Sequence, residues 1–502
     1  MDRLLTNKSL SEDAAQLHSR YQPQLEADRY IKALDLRGDT DYFILIEPGL
    51  GYLIPALRQF RPESSIVVLH ADNYFRVTAD RYPDVPVWFP DSGTGVQEFL
   101  EKIIPEAASA RIIEWRPSLR FFGDRCLELV RESTEFIKRS EASRRTGAAF
   151  GGRWVRNFFR NLALVHQTIL YRTMDMPIVI TGSGPSLEAA LPRILAAREG
   201  VFILAASSSL PALAAGGITP DMVISTDGGG WALLHLHACF RGGETRPPML
   251  AYSLSAAIPS QCSTLPLLPL NDGTIWQSMV LQSLGIPSAL VPQRGTVTAS
   301  ALELALALSS GSIFLAGMDL AIPGIQSHAR PYGFDHLFYG IASRLRPVYS
   351  QLFTRSREIK AGGSHDVYAA WFKNKIASWP ARIFSLGGNH AVLESGLGKV
   401  KKEFFTTEYT ELHGGKDDCR IKTPCSSVYS VVNNNFKVMT LNGSPEERRD
   451  HAIETLIAAL GNPQYAAALS GELGPLLFPS RTDVTSEEIA EALRGITRRK
   501  RG

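Results

Sequence analysis

The stretch MPIVITGSGPSLEAALPRI, Met176 to Ile194, decides the fold. Ile178, Val179 and Ile180 make a β-branched apolar run, which fits a buried strand. Gly182-Ser183-Gly184-Pro185-Ser186 interrupts it, and from Leu187 the pattern resumes with helical spacing. Strand, tight loop and helix in that order make a βα unit. The loop is not a Walker loop, which would end in Gly-Lys-Ser/Thr, nor a dinucleotide fingerprint, which would carry a third glycine where Leu187 stands. Pro185 suits a first helical turn, and Gly184 lets the backbone turn sharply before it. Backbone N–H groups together with the hydroxyls of Ser183 and Ser186 then form an anion site at a helix N-terminus. With no lysine to reach a triphosphate, the chemistry fits a mono- or diphosphate, as in a nucleotide-sugar; a plain tight βα turn is the alternative. If a phosphate sits there, Gly184 can accept no Cβ.

Around this unit, VFILAA, DMVISTDGG, PMLAY, SALVPQ and SIFLAGMDLA alternate with helical stretches such as TASALELALAL. Unbroken apolar strands alternating with helices predict a parallel sheet covered on both faces. Ligands of such sheets bind at the carboxyl ends of the strands, so Ser183, Ser186, Ser207, Ser225, Asp227 and Asp319 are the candidate site residues. Asp227, followed by three glycines, fits a contact to a ribose, a metal or a substrate hydroxyl, or a helix cap. Asp319 repeats the arrangement on another strand. His328, nine residues later in QSHARPYGFDH, offers an imidazole that is basic near neutral pH. A satisfied structural histidine is the competing reading among the 11 present.

The boundaries follow from the change of rhythm. Residues 1–116 read as a Rossmann-like α/β domain: YFILIEPGLGYLIPALRQF, SSIVVLHADNYF and VPVWF place Gly49 and Gly51 at a strand-to-helix turn, with Asp72 closing the next strand. Ile54 stands where a third glycine would complete a nucleotide-binding unit, which favours a structural domain over one holding a dinucleotide or methyl donor. Residues 117–172 read as a helical connector. Trp154, Phe158, Leu162 and Val165 form its apolar face, and Arg153, Arg156 and Arg160 a solvated basic side. Residues 173–396 hold the parallel sheet, and residues 397–502 a mostly helical region that includes SEEIAEAL from Ser486.

The 502 residues, 44% hydrophobic and 21% charged, belong to an ordinary globular chain. A net charge of +3 gives no general pull toward nucleic acid, and the terminal RRKRG reads as a solvated end. Five cysteines (Cys126, Cys239, Cys262, Cys419, Cys425) without metal-ligand spacing fit free thiols in a reducing compartment. The absence of an apolar leader and of any run of about eighteen apolar residues points to a cytoplasmic protein not inserted in a membrane.

GSGPSL, GITPDMVISTD, RGTVTASALELAL and IFLAGMDLA followed by SHA, in that order, resemble the motility-associated factor family, also described as DUF115 or 6-hydroxymethylpterin pyrophosphokinase MptE-like. The resemblance runs from about Trp154 to His390, and LIEPGLGYL is similar to that family's N-terminal Rossmann-like domain. It implies a core similar to the bacterial sialyltransferases of the GT42 type. It further implies a glycosyltransferase that moves a nonulosonic acid, such as pseudaminate or legionaminate, from a CMP-sugar donor to serine or threonine of flagellin, supporting motility. In that scheme Gly182, Ser183, Gly184, Pro185, Ser186 and Ser207 hold the nucleotide. Ser225 and Asp227 line the sugar or ribose site, Asp319 assists, His328 is the general base, and Tyr332 or Tyr339 donates to phosphate. No cofactor or metal is expected beyond the CMP-sugar substrate, and a homo-oligomer is left open. Met318, where many members carry Gln, departs in a way that bears on donor choice, and LHADN departs at the second N-terminal strand. Two rivals remain: an ATP- and magnesium-dependent diphosphokinase with Asp227 and Asp319 as metal ligands, and a non-catalytic flagellin-binding protein.

Overall fold

The computed structural model describes residues 17–36, 40–105, 108–241, 249–292, 296–320, 322, 324–361, 368–369, 372, 382–386, 434–481 and 483–498. The polar stretch 413–427 with Cys419 and Cys425, the basic tail past Arg498 and the side chain of Cys239 lie outside them. The chain forms two compact units, Met1–Ala149 and Phe150–Gly502. Both are mixed α/β with parallel sheets, and the C-terminal region is helical.

In the first unit, strands β1 (Tyr42–Ile46), β2 (Ser65–Leu69), β3 (Val87–Trp88) and β4 (Ala110–Glu114) pair in parallel in the order β3-β2-β1-β4. Because side chains alternate along a strand, Phe43 and Leu45 enter one core with Leu53 and Leu57, while Ile44 and Ile46 enter the other with Val96 and Leu100. The loop after β1 shows why glycines stand there. Gly49 and Gly51 have φ of 58° and 79°, and a Cβ on Gly49 would lie 2.5 Å from Nε2 of His18. That nitrogen accepts the Leu50 N–H at 3.1 Å. The opening expected of a nucleotide loop is thus filled by the protein's own imidazole. Glu47, fully buried, accepts the Ala71 N–H at 2.7 Å and lies 2.8 Å from His70 Nδ1. Asp72 caps a short turn by accepting the Tyr74 N–H and pairs with Arg125.

The helix Asp124–Leu164 spans 41 residues. Its last turns belong to the second unit, where Val155, Phe158, Phe159 and Leu162 are buried. Trp154 is only half-buried, and Arg160, read as solvated, donates to the Ile258 carbonyl.

The second unit is a ten-stranded sheet. Strands β5 (Gln167–Tyr171), β6 (Ile178–Thr181), β7 (Phe202–Ala206), β8 (Met222–Ser225), β9 (Met249–Ser253), β10 (Leu267–Asn271), β11 (Ala289–Leu290), β12 (Ile313–Ala316), β13 (Ile383–Ser385) and β14 (Phe436–Thr440) lie in the order β13-β12-β6-β7-β8-β9-β10-β5-β14, with β11 beside β10. All pairs are parallel except β5 with β14. Strand alternation again sorts two cores. Val179, Ile203 and Val223 face the helix Ser186–Ala196 and the C-terminal helices, while Ile180, Leu204 and Ile224 face the helix Val297–Leu308. The three C-terminal helices, Pro445–Leu460, Pro463–Leu477 and Ser486–Arg498, complete the first of these cores with Leu456, Leu473 and Leu493. The first of them starts with a capping box between Ser444 and Glu447.

From β6 the chain steps through β7, β8, β9 and β10 in one direction, then returns to place β12 on the other side of β6. The switch point between β6 and β12 is where an open parallel sheet leaves a crevice at its carboxyl ends.

Candidate functional site

Two helices on opposite faces of the sheet begin at the carboxyl end of the strands beside this crevice. The helix Ser186–Ala196 follows β6, and the helix Val297–Leu308, capped by Thr296 accepting the Ala299 N–H at 3.0 Å, packs across β6 and β7. Each carries the partial positive charge of a helix N-terminus to that edge. Gly182 turns between them: a Cβ there would lie 2.5 Å from the Gly317 carbonyl and 2.9 Å from Cγ2 of Thr298. Thr298 belongs to RGTVTAS, a motif visible in the sequence, but its place beside Gly182 was not.

The Gly182–Ser186 loop is tied to the loop that follows β12. Gly184 N–H donates to the Gly317 carbonyl at 2.8 Å, and Ser186 N–H to Oδ2 of Asp319 at 2.8 Å. The first exposed amide of the helix therefore caps on a carboxylate of the protein itself. A Cβ on Gly184 would strike that carboxylate and lie 2.7 Å from the Gly317 oxygen. The glycine requirement comes from the protein's own backbone and Asp319, which corrects the expectation that phosphate imposes it. Pro185 immediately precedes the helix in helical conformation. Among the described residues, the buried Oγ of Ser186 has no hydrogen-bond partner, nor has that of fully buried Ser225 at the end of β8. Buried polar atoms are usually paired, which sets these hydroxyls apart. Ser207, buried at the end of β7, begins a short turn and accepts the Leu210 N–H through its carbonyl.

The segment Gln326–Asp335 docks on the same loop. Ala329 N–H donates to the Ser183 carbonyl at 2.8 Å. Glu188, in the first turn of the helix, accepts from the Gln326 side chain at 2.6 Å and from Arg330 N–H at 2.8 Å. His328 is thereby held beside Ser183. Its Nδ1 lies 2.9 Å from Ser327 Oγ and its ring stacks on Tyr332, with centroids 4.0 Å apart. The Tyr332 hydroxyl lies 3.4 Å from Nε2 of His235, whose ring packs on Phe334 at 4.7 Å. Burial pushes the Tyr332 phenol well above its ordinary range, against a smaller opposing pull from Arg355. It stays a hydrogen-bond donor at any working pH. Burial lowers His235 to about 4 despite nearby Asp227, so its imidazole is neutral near pH 7.

Asp227 is exposed, and its carboxylate accepts the Gly229 N–H at 2.7 Å. Its loop is held from below by Asn157, whose side chain donates to the carbonyls of Gly228 at 3.2 Å and Ser255 at 3.0 Å. Exposed Trp231 follows directly, its ring edge-on to Phe334. Tyr339 stands apart: it is 59% exposed on the helix Asp335–Gly340 and lines no cleft with His328. A shallow cleft, partly open to solvent, lies beside His328 between this segment and the helix Val348–Ala361, with enclosed room of about 10 Å³. That is space for about one water, far below the roughly 300 Å³ at which small-molecule sites begin. His235, Asn157, Trp231 and Arg355 were missed in the sequence, where nothing marks them among other residues of their kind.

Residues 153–324 match the family described as 6-hydroxymethylpterin diphosphokinase MptE-like. This segment resembles the MptE-like family. It covers the end of the long helix, strands β5 to β12 and both loops of the crevice. Two proteins of Treponema pallidum (strain Nichols), each described as an "uncharacterized protein", are similar: one 31% identical over 303 residues, the other 25% over 139. The matches cover 59% and 27% of this chain, which spans 64% and 66% of the lengths of those relatives. The structure of the MAf glycosyltransferase from Magnetospirillum magneticum AMB-1 aligns with 99% of this chain and 79% of its own, at 14% identity and a TM-score of 0.47, a likeness too distant to assign an activity. Among the described residues, no helix is long and apolar enough to cross a membrane, and no three His, Cys, Asp or Glu side chains gather as a metal-ligand set.

Proposed function

We propose that this chain is a glycosyltransferase that moves a nonulosonic acid from a CMP-sugar to serine or threonine of flagellin, acting in the cytoplasm. The observation that carries this reading is the coupling of the Gly182–Ser186 loop and the helix after it to the His328 segment through Ser183 and Glu188. An anion-favouring helix terminus and an imidazole then share one strand end. The motif order in the sequence supplies the donor and the acceptor.

In this mechanism the donor phosphate approaches the paired helix N-termini. The acceptor hydroxyl oxygen attacks the anomeric carbon, and the bond from that carbon to the phosphate oxygen breaks. CMP leaves with the electron pair. His328 takes the acceptor proton, a role that contributes about a hundredfold to ten-thousandfold in rate. Tyr332, kept protonated by burial, donates toward the departing phosphate, and the helix termini stabilise its charge. In this scheme Asp227 meets a sugar hydroxyl and exposed Trp231 the ring face.

The MptE-like match favours a second reading, a diphosphokinase. Magnesium for such a reaction takes oxygen ligands, one or two carboxylates among them. Here Asp319 accepts from the Ser186 N–H and Asp227 from the Gly229 N–H, and these are the two carboxylates that reading would draw on. The test is transfer itself: purified chain, a CMP-nonulosonate and flagellin, followed by intact mass in excess chelator. A mass gain of one sugar, reduced roughly a hundredfold or more by His328→Ala, is expected. Complete loss with chelator, restored by magnesium, contradicts the mechanism.

A further inference from the structure

We propose that the hairpin formed by the helices Asp335–Gly340 and Val348–Ala361 docks on an anionic lipid surface, with Leu345 at its tip entering the interface. This goes beyond the glycosyltransferase reading and does not rest on it. A helix at the surface of a globular protein normally turns its apolar stripe to the core; here the stripe is reversed. On the helix Val348–Ala361, Tyr349 and Phe353, one turn apart, are 65% and 43% exposed, while Ser356 is buried and Gln351 and Arg355 are half-buried. The two exposed rings lie nearly parallel with centroids 6.4 Å apart, and Arg357 continues their stripe, its guanidinium carbon 5.9 Å from the centre of the Phe353 ring. Leu337, Tyr339 and Ile341 are exposed on the other arm.

The turn that joins the two arms is ordered by its own bonds. Ser343 N–H donates to the Arg346 carbonyl at 3.0 Å and Arg346 N–H to the Ser343 carbonyl at 3.1 Å, and the Gln351 side chain donates to the same Arg346 carbonyl at 3.1 Å. Leu345 is held at the apex, 93% exposed, between exposed Arg344 and Arg346. Residues 337–359 carry four arginines against one glutamate, a formal charge of +3 that equals that of the whole chain. The occupant of this face must therefore offer negative charge and apolar contact together, and offer them to a projecting turn rather than to a groove. A second copy presents the same positive charge and repels. An anionic bilayer interface supplies both: arginine heads reach the lipid phosphates while their stems, the Leu345 side chain and the tyrosine rings settle at the boundary of the acyl region. Such docking needs no helix that crosses the membrane.

Co-sedimentation of the full chain with vesicles of phosphatidylcholine, and with vesicles of phosphatidylcholine and phosphatidylglycerol, tests this. Binding to the anionic vesicles is expected to be at least about tenfold tighter than to the neutral ones and to weaken with salt. Arg344→Gln together with Arg346→Gln should lower it about tenfold or more, each arginine contributing roughly fivefold. Leu345→Ser leaves the charge unchanged and should also lower it about tenfold, which separates insertion of the tip from attraction alone. All three positions are exposed, so the unfolding midpoint of each variant should match that of the wild type. No binding to anionic vesicles, equal binding to both kinds, or anionic binding that neither variant weakens overturns the proposal. So does self-association of the wild type without vesicle binding, abolished by Leu345→Ser, which would make the hairpin an interface between copies.

Discussion

Gly184→Ala tests whether the crevice is organised as described. A methyl group at this position lies 2.7 Å from the Gly317 carbonyl and collides with the Asp319 carboxylate, so the two loops must separate. Two bonds are then at stake, Gly184 N–H to Gly317 O and Ser186 N–H to Asp319, each 2.8 Å. The neutral bond is worth about 1 kcal/mol and the charge-assisted one about 2 kcal/mol. Residual overpacking adds about 1–3 kcal/mol, giving roughly 4–6 kcal/mol against a typical domain stability of about 5–15 kcal/mol. The variant is expected to be marginally folded before any ligand is added. Hydrogen exchange of the amides in Ile178–Thr181 and Ile313–Ala316 reads this in the second unit alone. In an Asp319→Ala background one bond and one collision are already gone, so the same substitution should cost about 2 kcal/mol less. Gly184→Ala within about 0.5 kcal/mol of wild type, or equally costly in both backgrounds, refutes the reasoning.

Three further outcomes follow from the same contacts. Asp319→Asn keeps an oxygen for the Ser186 N–H but gives up the charge and should lose about 1 kcal/mol in urea unfolding, whereas Asp319→Ala should lose about 2 kcal/mol. Glu188→Ala releases Gln326 and Arg330 N–H together, so exchange of the Ala329 and Arg330 amides should accelerate at least about tenfold with little change in β6. His235 is lowered from an ordinary 6.5 to about 4, so the unfolded chain binds the extra proton first as pH falls. Its contribution is present above about 6.5 and lost between there and about 4, by up to about 3 kcal/mol. His235→Phe should flatten that acid limb of the unfolding midpoint against pH; an unchanged limb assigns it to other groups.

Strand ends were legible in the sequence because buried parallel strands are unbroken apolar runs, and each of IVIT, FILAA, MVIS and IFLA is a strand in the structure. That the polar residues just after them gather at one edge follows from parallel pairing, which places Ser183, Ser225, Asp227 and Asp319 at the same ends. What each does there depends on partners far along the chain. Asp319 meets Ser186 across 133 residues, and Asn157 meets Gly228 across 71, distances at which no local pattern operates. His235 and Arg355 acquire meaning only once Tyr332 and Phe338 are packed beside them. Gly49 was legible as a glycine at a strand-to-helix turn, where its φ is positive, but the His18 ring that lies against it was not.

The nucleotide decides the central claim. Calorimetric titration of the full chain with CMP, and separately with ATP and magnesium, asks which ligand the crevice was built to hold. CMP is expected to bind with the same affinity in buffer and in excess chelator, and ATP with magnesium not to compete with it. Saturable binding of ATP with magnesium, without binding of CMP, would contradict the account.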